Sequence, residues 1–374
     1  MRFLQICDPY ELHLQHCYRS NPGLSELPHE SQMEAFYRGG YMSSHLFYHG
    51  LRDFGYESYL LMPNCVSSQR KWAEERSWDL PSNQAESIKL LGRQVEAIKP
   101  DVLFFNNACF VSSEVVKSWS FRPALVVGWR AAPMWGKLDW SAFDLILSGF
   151  SRLVELAREV GAKDAAVFHA PMVQDWLYDA VPDEEIVADV VFAGSAYPGI
   201  HASRTRFLAE LGERNRAEGF PLKMHYHLSG SLADLPEAVF PYLQPVKVGR
   251  EMLAALRRGR VALDCRAEQA LEVDGRRIDF GLEETINIRL FEAAGAGCCT
   301  LTQRLEGVRR FFEPGVEIET YGSLEECWEK LLYYKERPDE ARAMGHAARQ
   351  RCLSEYTEEK RLKVLDGLLK SRLH

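Results

Sequence analysis

The first half of the chain alternates short apolar runs with longer stretches in which apolar residues recur every three or four positions. The short runs predict buried strands, and the periodic stretches predict amphipathic helices. The predicted strands are Arg2 to Cys7, Tyr56 to Met62, Asp101 to Phe105, Ala124 to Gly128, Leu145 to Leu147 and Ala165 to Phe168. Strands and helices that alternate in this way indicate βαβ units and a parallel, doubly wound sheet.

Helical periodicity fills several intervals between these strands. One helical pattern extends from Gln32 to Phe54, with Gly39-Gly40 before its portion from Tyr41 onward. Another can be capped by Ser82 and has an apolar face at Ile88, Leu91, Val95 and Ile98. The roughly 30 residues before the glycine pair exceed ordinary connection lengths. Their mixture of histidine, tyrosine and proline suits either a lid over a bound molecule or a poorly ordered loop.

The second half repeats the alternation after an interruption. Residues 175–189 carry Pro182 and several acidic residues, which predicts an interdomain linker. The later strands are predicted at Val190 to Ser195, Leu222 to Leu228, Val261 to Asp264 and Val316 to Thr320. A helix over Leu324 to Tyr333 and a helical tail from Pro338 follow. We therefore predict domains at 1–174 and 190–355 and a final helix at 356–374.

Composition narrows the class of protein. The 374 residues exceed what one hydrophobic core usually holds, so two domains are expected. Hydrophobic residues at 46% and charged residues at 26% are typical of a soluble globular protein. A net charge of −8 and a pI near 5.8 argue against a nucleic-acid-binding protein, which usually presents a basic face.

Cysteine usage and targeting patterns bear on location and metal binding. The nine cysteines are an odd number without paired metal spacing, which fits reduced thiols. The chain shows no signal-peptide pattern, and no apolar run approaches ~18 residues. We therefore expect a cytoplasmic protein without a membrane span. The histidines lack ligand spacing and no Asp-x-Asp occurs, so no metal site is expected.

The segment from Glu284 to Gly297 has the most specific pattern in the chain. It places Glu284 and Glu292 on either side of seven residues, and small residues follow. A helix is predicted to begin near Asn287 and a strand to follow Gly297. A helix N-terminus exposes unpaired N–H groups and a positive dipole end, which suit a diphosphate. A carboxylate one turn into the helix can accept hydrogen bonds from a ribose diol.

This segment resembles the Glu-x7-Glu donor motif of GT-B glycosyltransferases, and Asn287-x-Arg289-x-Phe291-Glu292 resembles their CgeB-like, spore-maturation branch. The resemblance implies an α/β fold of two Rossmann-like, doubly wound domains that face a cleft, with the final helix crossing back to the first domain. It implies transfer of a hexose or similar sugar to an acceptor hydroxyl from a nucleoside-diphosphate sugar such as a UDP-sugar, by a retaining reaction that needs no metal ion. This sugar nucleotide is a co-substrate, and no further cofactor is implied. A glycan, a small molecule or a protein remains open as the acceptor.

The resemblance also implies roles for individual residues in donor binding. Glu292 would contact the ribose and Glu284 the donor sugar. Asn287, Ile288 and Arg289 would contact the diphosphate, because an arginine can donate two parallel hydrogen bonds to a phosphate. Further donor contacts are implied for Gly194, Ser195, Arg204 and Gly40. The structural alternatives are a glutamate that complements the helix dipole, a salt bridge of Arg289 across its helix, and glycines that only mark turns.

No motif identifies the catalytic residue. Many members of the resembled family carry a histidine or an acid after a strand of the first domain, where this chain has Asn106-Asn107. Asn106 offers hydrogen bonds but no base. His169, His45 and Asp8 are the other candidates, and each can equally be a structural residue. In a retaining reaction the leaving diphosphate can itself accept the proton of the acceptor.

Three other functions compete with sugar transfer. A nucleotide-sugar 2-epimerase and a non-catalytic relative are both compatible with the resemblance. A two-domain binding protein of the periplasmic type is disfavoured, because the chain shows no export signal and has an odd number of cysteines.

Overall fold

Two parallel β-sheets organise the chain in the computed structural model. The structure describes residues 1–132, 137–169, 185–267, 270–273, 275–279 and 286–373. Residues 175–184 of the predicted linker, and Glu284, lie outside the described residues. The chain divides into two compact units. The first contains the described residues of Met1–Pro171, Leu271–Phe280 and Glu358–His374, and the second contains those of Met172–Ala270 and Gly281–Thr357.

The sheet of the first unit contains six parallel strands. They are β1 (Arg2–Ile6), β2 (Glu57–Leu61), β3 (Val102–Phe105), β4 (Leu125–Trp129), β5 (Leu145–Ser148) and β6 (Ala165–Val167). Their order is β2-β1-β3-β4-β5-β6. β1 lies between β2 and β3, where Phe3 is in register with Ser58 on one side and with Val102 on the other. The parallel sheet predicted from the alternation is confirmed.

The helices of the first unit depart from the sequence-based prediction in its first third. The described helices before residue 170 are α1 (Glu11–Ser20), α2 (His29–Arg38), α3 (Val66–Glu74), α4 (Gln84–Lys89), α5 (Leu91–Ile98), α6 (Ser113–Lys117) and α7 (Ser151–Glu159). The stretch before the glycine pair, predicted as a lid or loop, contains α1 and α2. α4 is capped by Asn83 rather than by the predicted Ser82.

The prediction of one helix from Gln32 to Phe54 is wrong, because Gly39-Gly40 ends α2. Gly40 has a φ of +74°, in the left-handed region that favours glycine. Its N–H binds the carbonyl of Tyr37 at 3.0 Å, which is typical of a helix C-terminus. The following segment forms two short 3-10 turns, Ser43–His45 and Gly50–Phe54. The apolar spacing that predicted one helix therefore continues past Gly40, where the backbone conformation changes and the helix ends.

The second unit contains a five-stranded parallel sheet. The remaining strands are β7 (Ala188–Ser195), β8 (Met224–Ser229), β9 (Gly259–Leu263), β10 (Ala270–Val273), β11 (Arg276–Asp279), β12 (Cys299–Gln303) and β13 (Glu319–Tyr321). The sheet order is β13-β12-β9-β7-β8, whereas β10 and β11 form a separate two-stranded hairpin. The hairpin was not anticipated from the sequence. Ile278 of the hairpin packs against the core of the first unit.

Helices surround the second sheet and continue to the end of the described chain. They are α8 (Ala202–Ala217), α9 (Arg250–Arg257), α10 (Ile288–Gly295), α11 (Glu306–Arg309), α12 (Leu324–Glu336), α13 (Pro338–Glu355) and α14 (Glu358–Leu373). α14 belongs to the first unit, where Tyr56 donates its hydroxyl to Asp366 Oδ1 at 2.7 Å and Arg372 binds Asp164 Oδ2 at 2.6 Å. Among the described residues, no helix combines the length and the apolar character needed to cross a bilayer.

Both sheets have the same strand order and therefore the same kind of switch point. In each sheet the first strand lies between the second and the third. The chain therefore proceeds from the first strand to one side of the sheet and then returns to the other side, which places the switch point between β1 and β3 in one sheet and between β7 and β9 in the other. Ligands of open α/β sheets bind beside the carboxyl ends of the strands at such a point. The residues that follow β1, β3, β7 and β9 are therefore the first to examine for function.

The second sheet is covered on both faces. Val190 and Phe192 of β7 belong to one hydrophobic core and Val191 to the other. Phe291 of α10 lies in the same core as Val191. A strand buried on both faces is typical of a parallel sheet. This packing holds α10 against the second sheet.

We predict that Gly345→Ala destabilises the protein by about 1–3 kcal/mol, because α13 has no room for a methyl group there. A Cβ at Gly345 would lie well inside contact distance of the Gly297 carbonyl oxygen. The matched control is Gly367→Ala in α14, where an added Cβ meets nothing within 4 Å. That exposed helix position should gain about 0.5–1 kcal/mol. Urea unfolding measures both, and equal effects would contradict the packing described.

Candidate functional site

Helix α10 begins at the carboxyl edge of the second sheet, and Asn287 is its cap. The Oδ1 atom of Asn287 accepts a hydrogen bond from the N–H of Leu290 at 3.1 Å, as expected of asparagine at this position. The N–H groups of Ile288 and Arg289 have no carbonyl of their own helix to bind. They lie at the positive end of the helix dipole. The helix start predicted near Asn287 and the strand predicted after Gly297 are both confirmed.

The carboxylate of Asp264, directly after β9, connects three elements. Asp264 is only 2% exposed. Its Oδ1 accepts a hydrogen bond from Asn287 Nδ2 at 2.8 Å, and its Oδ2 accepts one from Thr302 Oγ1 at 2.6 Å. Tyr321 of β13 donates its hydroxyl to the backbone carbonyl of Asp264 at 3.1 Å. Because Asn287 Nδ2 donates to Asp264 while its Oδ1 accepts the N–H of Leu290, the side chain of the cap is held in one orientation.

Arg204 of α8 reaches the ends of β7 and β9. Its Nη1 donates to the carbonyl of Ser195 and its Nε to the carbonyl of Cys265, both at 3.0 Å. Gly194 leaves room for the ring of Phe192, because a Cβ there would lie 2.8 Å from that ring, whereas its 3.4 Å distance to Arg204 Nη1 would be an ordinary contact. Cys265 follows the aspartate that binds Asn287. The structure thus brings the predicted residues of β7 and α8 to the same switch point as the cap of α10.

Arg266 is a candidate that the sequence reasoning missed. It lies just beyond β9 and is 4% exposed. Its Nε is 3.4 Å from Asp264 Oδ2, and its backbone N–H donates to Gln303 Oε1 at 3.1 Å. Burial lowers the pKa of Arg266, and the Asp264 carboxylate opposes that shift. No motif spacing marks this arginine, so only its position in the fold reveals it.

Arg289 and Glu292 bind each other across one turn of α10. Arg289 Nη1 is 2.6 Å from Glu292 Oε2, and the two side chains are 26% and 12% exposed. The same nitrogen contacts the sulfur of Met252. This is the salt bridge that was the structural alternative for Arg289. A ligand that binds either side chain therefore has to share or open this pair.

In the first unit, a chain of hydrogen bonds crosses the ends of β1, β3 and β4. Asn107 Nδ2 donates to Asp8 Oδ2 at 2.8 Å, and Arg130 Nη1 donates to Asn107 Oδ1 at 2.9 Å. The N–H of Cys109 donates to the same Asn107 oxygen at 3.1 Å. Two donors on this oxygen fix the orientation of the amide, so its NH₂ group faces Asp8. The predicted candidate Asp8 is thus positioned by residues to which the sequence assigned no role.

The predicted candidates Asn106 and His45 belong to a second, more buried network. Gln5 Nε2 donates to Asn106 Oδ1 and to the carbonyl of His45, both at 2.5 Å. Asn106 Nδ2 donates to that carbonyl at 2.9 Å. Gln5 Oε1 accepts the N–H groups of Phe47 and Tyr48, each at 2.9 Å. The amide of Asn106 therefore holds the segment around His45 against the sheet.

Burial shifts the pKa values of Asp8 and His45, the two titratable candidates at this switch point, in opposite directions. It raises the pKa of Asp8, while hydrogen bonding from Asn107 opposes the shift. It lowers the pKa of His45 to about 4. A general base works best when its pKa lies near the working pH. Burial therefore moves Asp8 toward that range and His45 away from it.

His169, Gly40 and Glu284 are the remaining predicted residues. His169 follows β6, three strands from β3, which corresponds to about 14 Å at ordinary strand spacing. A Cβ at Gly149 would lie 3.6 Å from its Nδ1. Gly40 ends α2, and Glu284 lies outside the described residues. In the described ranges, no three histidine, cysteine, aspartate or glutamate side chains gather as metal ligands.

We predict that Asn287→Ala lowers the free energy of unfolding by more than an ordinary cap loses, about 2 kcal/mol against about 1 kcal/mol. The substitution removes the cap of α10 and one donor to a buried carboxylate. Ser323→Ala is the matched control, because Ser323 caps α12 with a 3.2 Å bond from the N–H of Glu326. Urea unfolding compares the two variants. Equal losses would contradict the link between Asn287 and Asp264.

We predict that Asp8→Asn becomes more stable relative to the wild type as pH rises. In the unfolded chain the carboxyl ionises near its ordinary pKa of about 3.9, whereas the folded protein keeps Asp8 protonated to higher pH. The wild type therefore loses stability from that value up to the raised pKa of Asp8. The loss is about 1.4 kcal/mol for each pH interval of about 1 in which the two states differ fully in protonation.

Asp139→Asn is the control for this titration. Hydrogen bonds from Ser141 lower the pKa of Asp139, so its carboxyl is ionised in both states above about pH 5. Its difference from the wild type should stay constant between about pH 5 and pH 8. Urea unfolding at several pH values measures both variants. A constant difference for Asp8→Asn as well would show that Asp8 has an ordinary pKa.

Residues 204–366 match the model of a protein family described as glycosyl transferase-like. The match begins at Arg204 and includes Asp264, Arg266 and α10, but it covers less than half of the chain. No curated protein matches the sequence closely enough to count as a relative.

Solved structures resemble the chain over nearly its whole length at low sequence identity. A glycosyltransferase from Rickettsia africae has a TM-score of 0.59 and 10% identity, and the match covers 100% of this chain and 98% of that one. HepE from Anabaena, solved with UDP and glucose, has a TM-score of 0.53 and 10% identity over 99% and 100% of the two chains. A candidate UDP-N-acetylglucosamine 2-epimerase from Listeria monocytogenes has a TM-score of 0.52 and 11% identity over 100% and 96%. With the two parallel sheets, these similarities show that the chain has the GT-B fold of two Rossmann-like units.

Proposed function

We propose that the protein is a glycosyltransferase that moves a sugar from a nucleoside-diphosphate sugar, in this proposal a UDP-sugar, to an acceptor hydroxyl. The observation that carries the proposal is the convergence of Arg204 and the N-terminus of α10 on the ends of β7 and β9. Ligands of open α/β sheets bind at this position. A helix N-terminus beside an arginine suits a diphosphate. The glycosyl transferase-like match, which begins at Arg204, supports the same assignment.

The donor would bind to the second unit. The N–H groups of Ile288 and Arg289 would bind diphosphate oxygens, and Glu292 would accept hydrogen bonds from the ribose while sharing its pair with Arg289. The presence of UDP in the HepE structure supports uridine as the nucleoside. The pattern Asn287-x-Arg289-x-Phe291-Glu292 supports a place in the CgeB-like branch.

The reaction in this proposal retains the anomeric configuration and needs no metal ion. The bond from C1 of the sugar to the diphosphate breaks with its electron pair on the diphosphate, and a new bond forms from C1 to the acceptor oxygen. The proton of the acceptor hydroxyl passes to the leaving diphosphate. Arg204 and the dipole of α10 stabilise the charge that develops there. In the first unit, Asp8, which Asn107 holds at the end of β1, is the preferred candidate to accept a hydrogen bond from the acceptor hydroxyl.

A nucleotide-sugar 2-epimerase is the alternative enzyme. The similarity to the Listeria protein favours it, although at 11% identity that similarity concerns the fold. The two activities differ in their need for an acceptor. An epimerase converts its sugar nucleotide when no acceptor is present, whereas a transferase consumes it only by transfer or slow hydrolysis.

We predict that UDP raises the melting temperature of the protein more than GDP, dTDP, ADP or CMP at the same concentration, because a ligand of the native state stabilises it by mass action. Glu292→Ala should weaken UDP binding by about 10-fold or more, since a hydrogen-bonded carboxylate is worth about 1.5–3 kcal/mol. A thermal-shift titration, with and without magnesium, measures both effects.

The matched control is Glu251→Ala. Glu251 also lies in the first turn of a helix and pairs with Lys247 at 2.8 Å, but it is not part of the proposed site. Its substitution should leave UDP binding unchanged. Stabilisation by no nucleotide would overturn the proposed donor class. Undiminished binding to the Glu292 variant would remove that residue from the site while leaving the donor class intact.

A further inference from the structure

The guanidinium group of Arg266 is buried without the hydrogen bonds that such a group normally makes. Its side chain is 2% exposed, and its Nε and Nη2 atoms have no hydrogen-bond partner among the residues that the structure describes. Arginine is almost never fully buried unless it is paired, and buried polar groups are nearly always hydrogen-bonded. Two unsatisfied N–H-bearing nitrogens in one side chain therefore require an explanation.

Asp264 does not satisfy the hydrogen-bonding capacity of the Arg266 guanidinium. Its carboxylate already accepts hydrogen bonds from Asn287 and Thr302, and Arg266 Nε stays 3.4 Å away. Arg204, the second arginine near this position, donates its described hydrogen bonds to backbone carbonyls. Among the described residues, the Asp264 carboxylate is the anion beside Arg266, and Arg204 adds a second positive charge nearby. Burying excess positive charge is costly, and an anion would offset that cost.

We propose that Arg266 is a ligand of the donor diphosphate, the second cationic side chain beside Arg204. This inference rests on the proposed function for the identity of the ligand, but its evidence is the unsatisfied guanidinium itself. In this proposal the N–H groups on Nε and Nη2 of Arg266 donate to phosphate oxygens in a bidentate arrangement.

A ligand residue and a structural residue respond differently to replacement by methionine. Arg266→Met removes the cation beside the buried Asp264 carboxylate, so the free protein loses stability whichever role Arg266 has, and the affinities separate the two roles. If Arg266 serves binding, the variant binds inorganic pyrophosphate and UDP about 10- to 100-fold more weakly, as expected for lost charge-assisted hydrogen bonds. If Arg266 only supports the fold through Asp264, the affinities change little.

Isothermal titration calorimetry of the full chain with pyrophosphate, UDP and uridine tests the proposal, together with the melting temperature of each free variant. Arg304→Met is the control: it removes the same charge at the same sheet edge, from a side chain that is 52% exposed and pairs with Glu326. Arg304→Met should bind all three probes as the wild type does. Any uridine binding should be equal in the wild type and in Arg266→Met, since uridine lacks phosphate.

The outcomes separate this inference from the proposed function. Loss of pyrophosphate and UDP binding in Arg266→Met alone supports it. If the wild type binds pyrophosphate through Arg266 but binds no nucleotide, the arginine keeps its role and the proposed donor class fails. If Arg266→Met binds UDP and pyrophosphate as the wild type does, the inference is overturned while the transferase proposal stands. If the wild type binds neither, both are overturned.

Discussion

The buried carboxylate of Asp264 is the constraint on which the second unit depends. A charge that is 2% exposed must be satisfied by its surroundings, and its partners come from separate elements. Thr302 belongs to β12 and Asn287 to the cap of α10, so the carboxylate sets where that helix begins relative to the strands. The backbone N–H groups exposed at the helix start are thereby directed at one place. The hydrogen bond from Asn287 to Asp264 therefore both positions the start of α10 and helps to satisfy the buried charge.

The first unit reaches the equivalent position with neutral groups. Gln5 satisfies four hydrogen bonds at its own switch point and holds the segment around His45 without any charge. The titratable Asp8 lies outside this network and is oriented by Asn107. The two switch points thus carry different chemistry: Arg204 and Arg266 lie near the buried Asp264 in the second unit, whereas Asn107 and Arg130 hold Asp8 in the first. The proposed function assigns the donor to the second unit and the acceptor to the first.

Local signals allowed most strands and the start of α10 to be predicted, whereas long-range contacts did not show in the sequence. Asn287 was predictable because a capping residue precedes a periodic apolar stretch. The glycine pair that ends α2 was misjudged, because apolar spacing continued past it although Gly40 needs a left-handed backbone. Asp264 and Arg266 follow a strand, and no sequence motif marks them. Thr302, a hydrogen-bond partner of Asp264, lies 38 residues further along the chain. Such residues acquire a role only when the sheet assembles them.

The membership of α14 in the first unit has a consequence for the synthesis of the protein. The N-terminal sheet leaves the ribosome first, yet Tyr56 finds its partner Asp366 only 310 residues later. Domains generally fold as they emerge, but this unit also needs α14, which is synthesised only after the second unit. Each unit is also built from discontinuous segments, so neither can be expressed whole by cutting the gene once. A truncation at the C-terminus removes support from the N-terminal sheet, and not from the unit that precedes the cut.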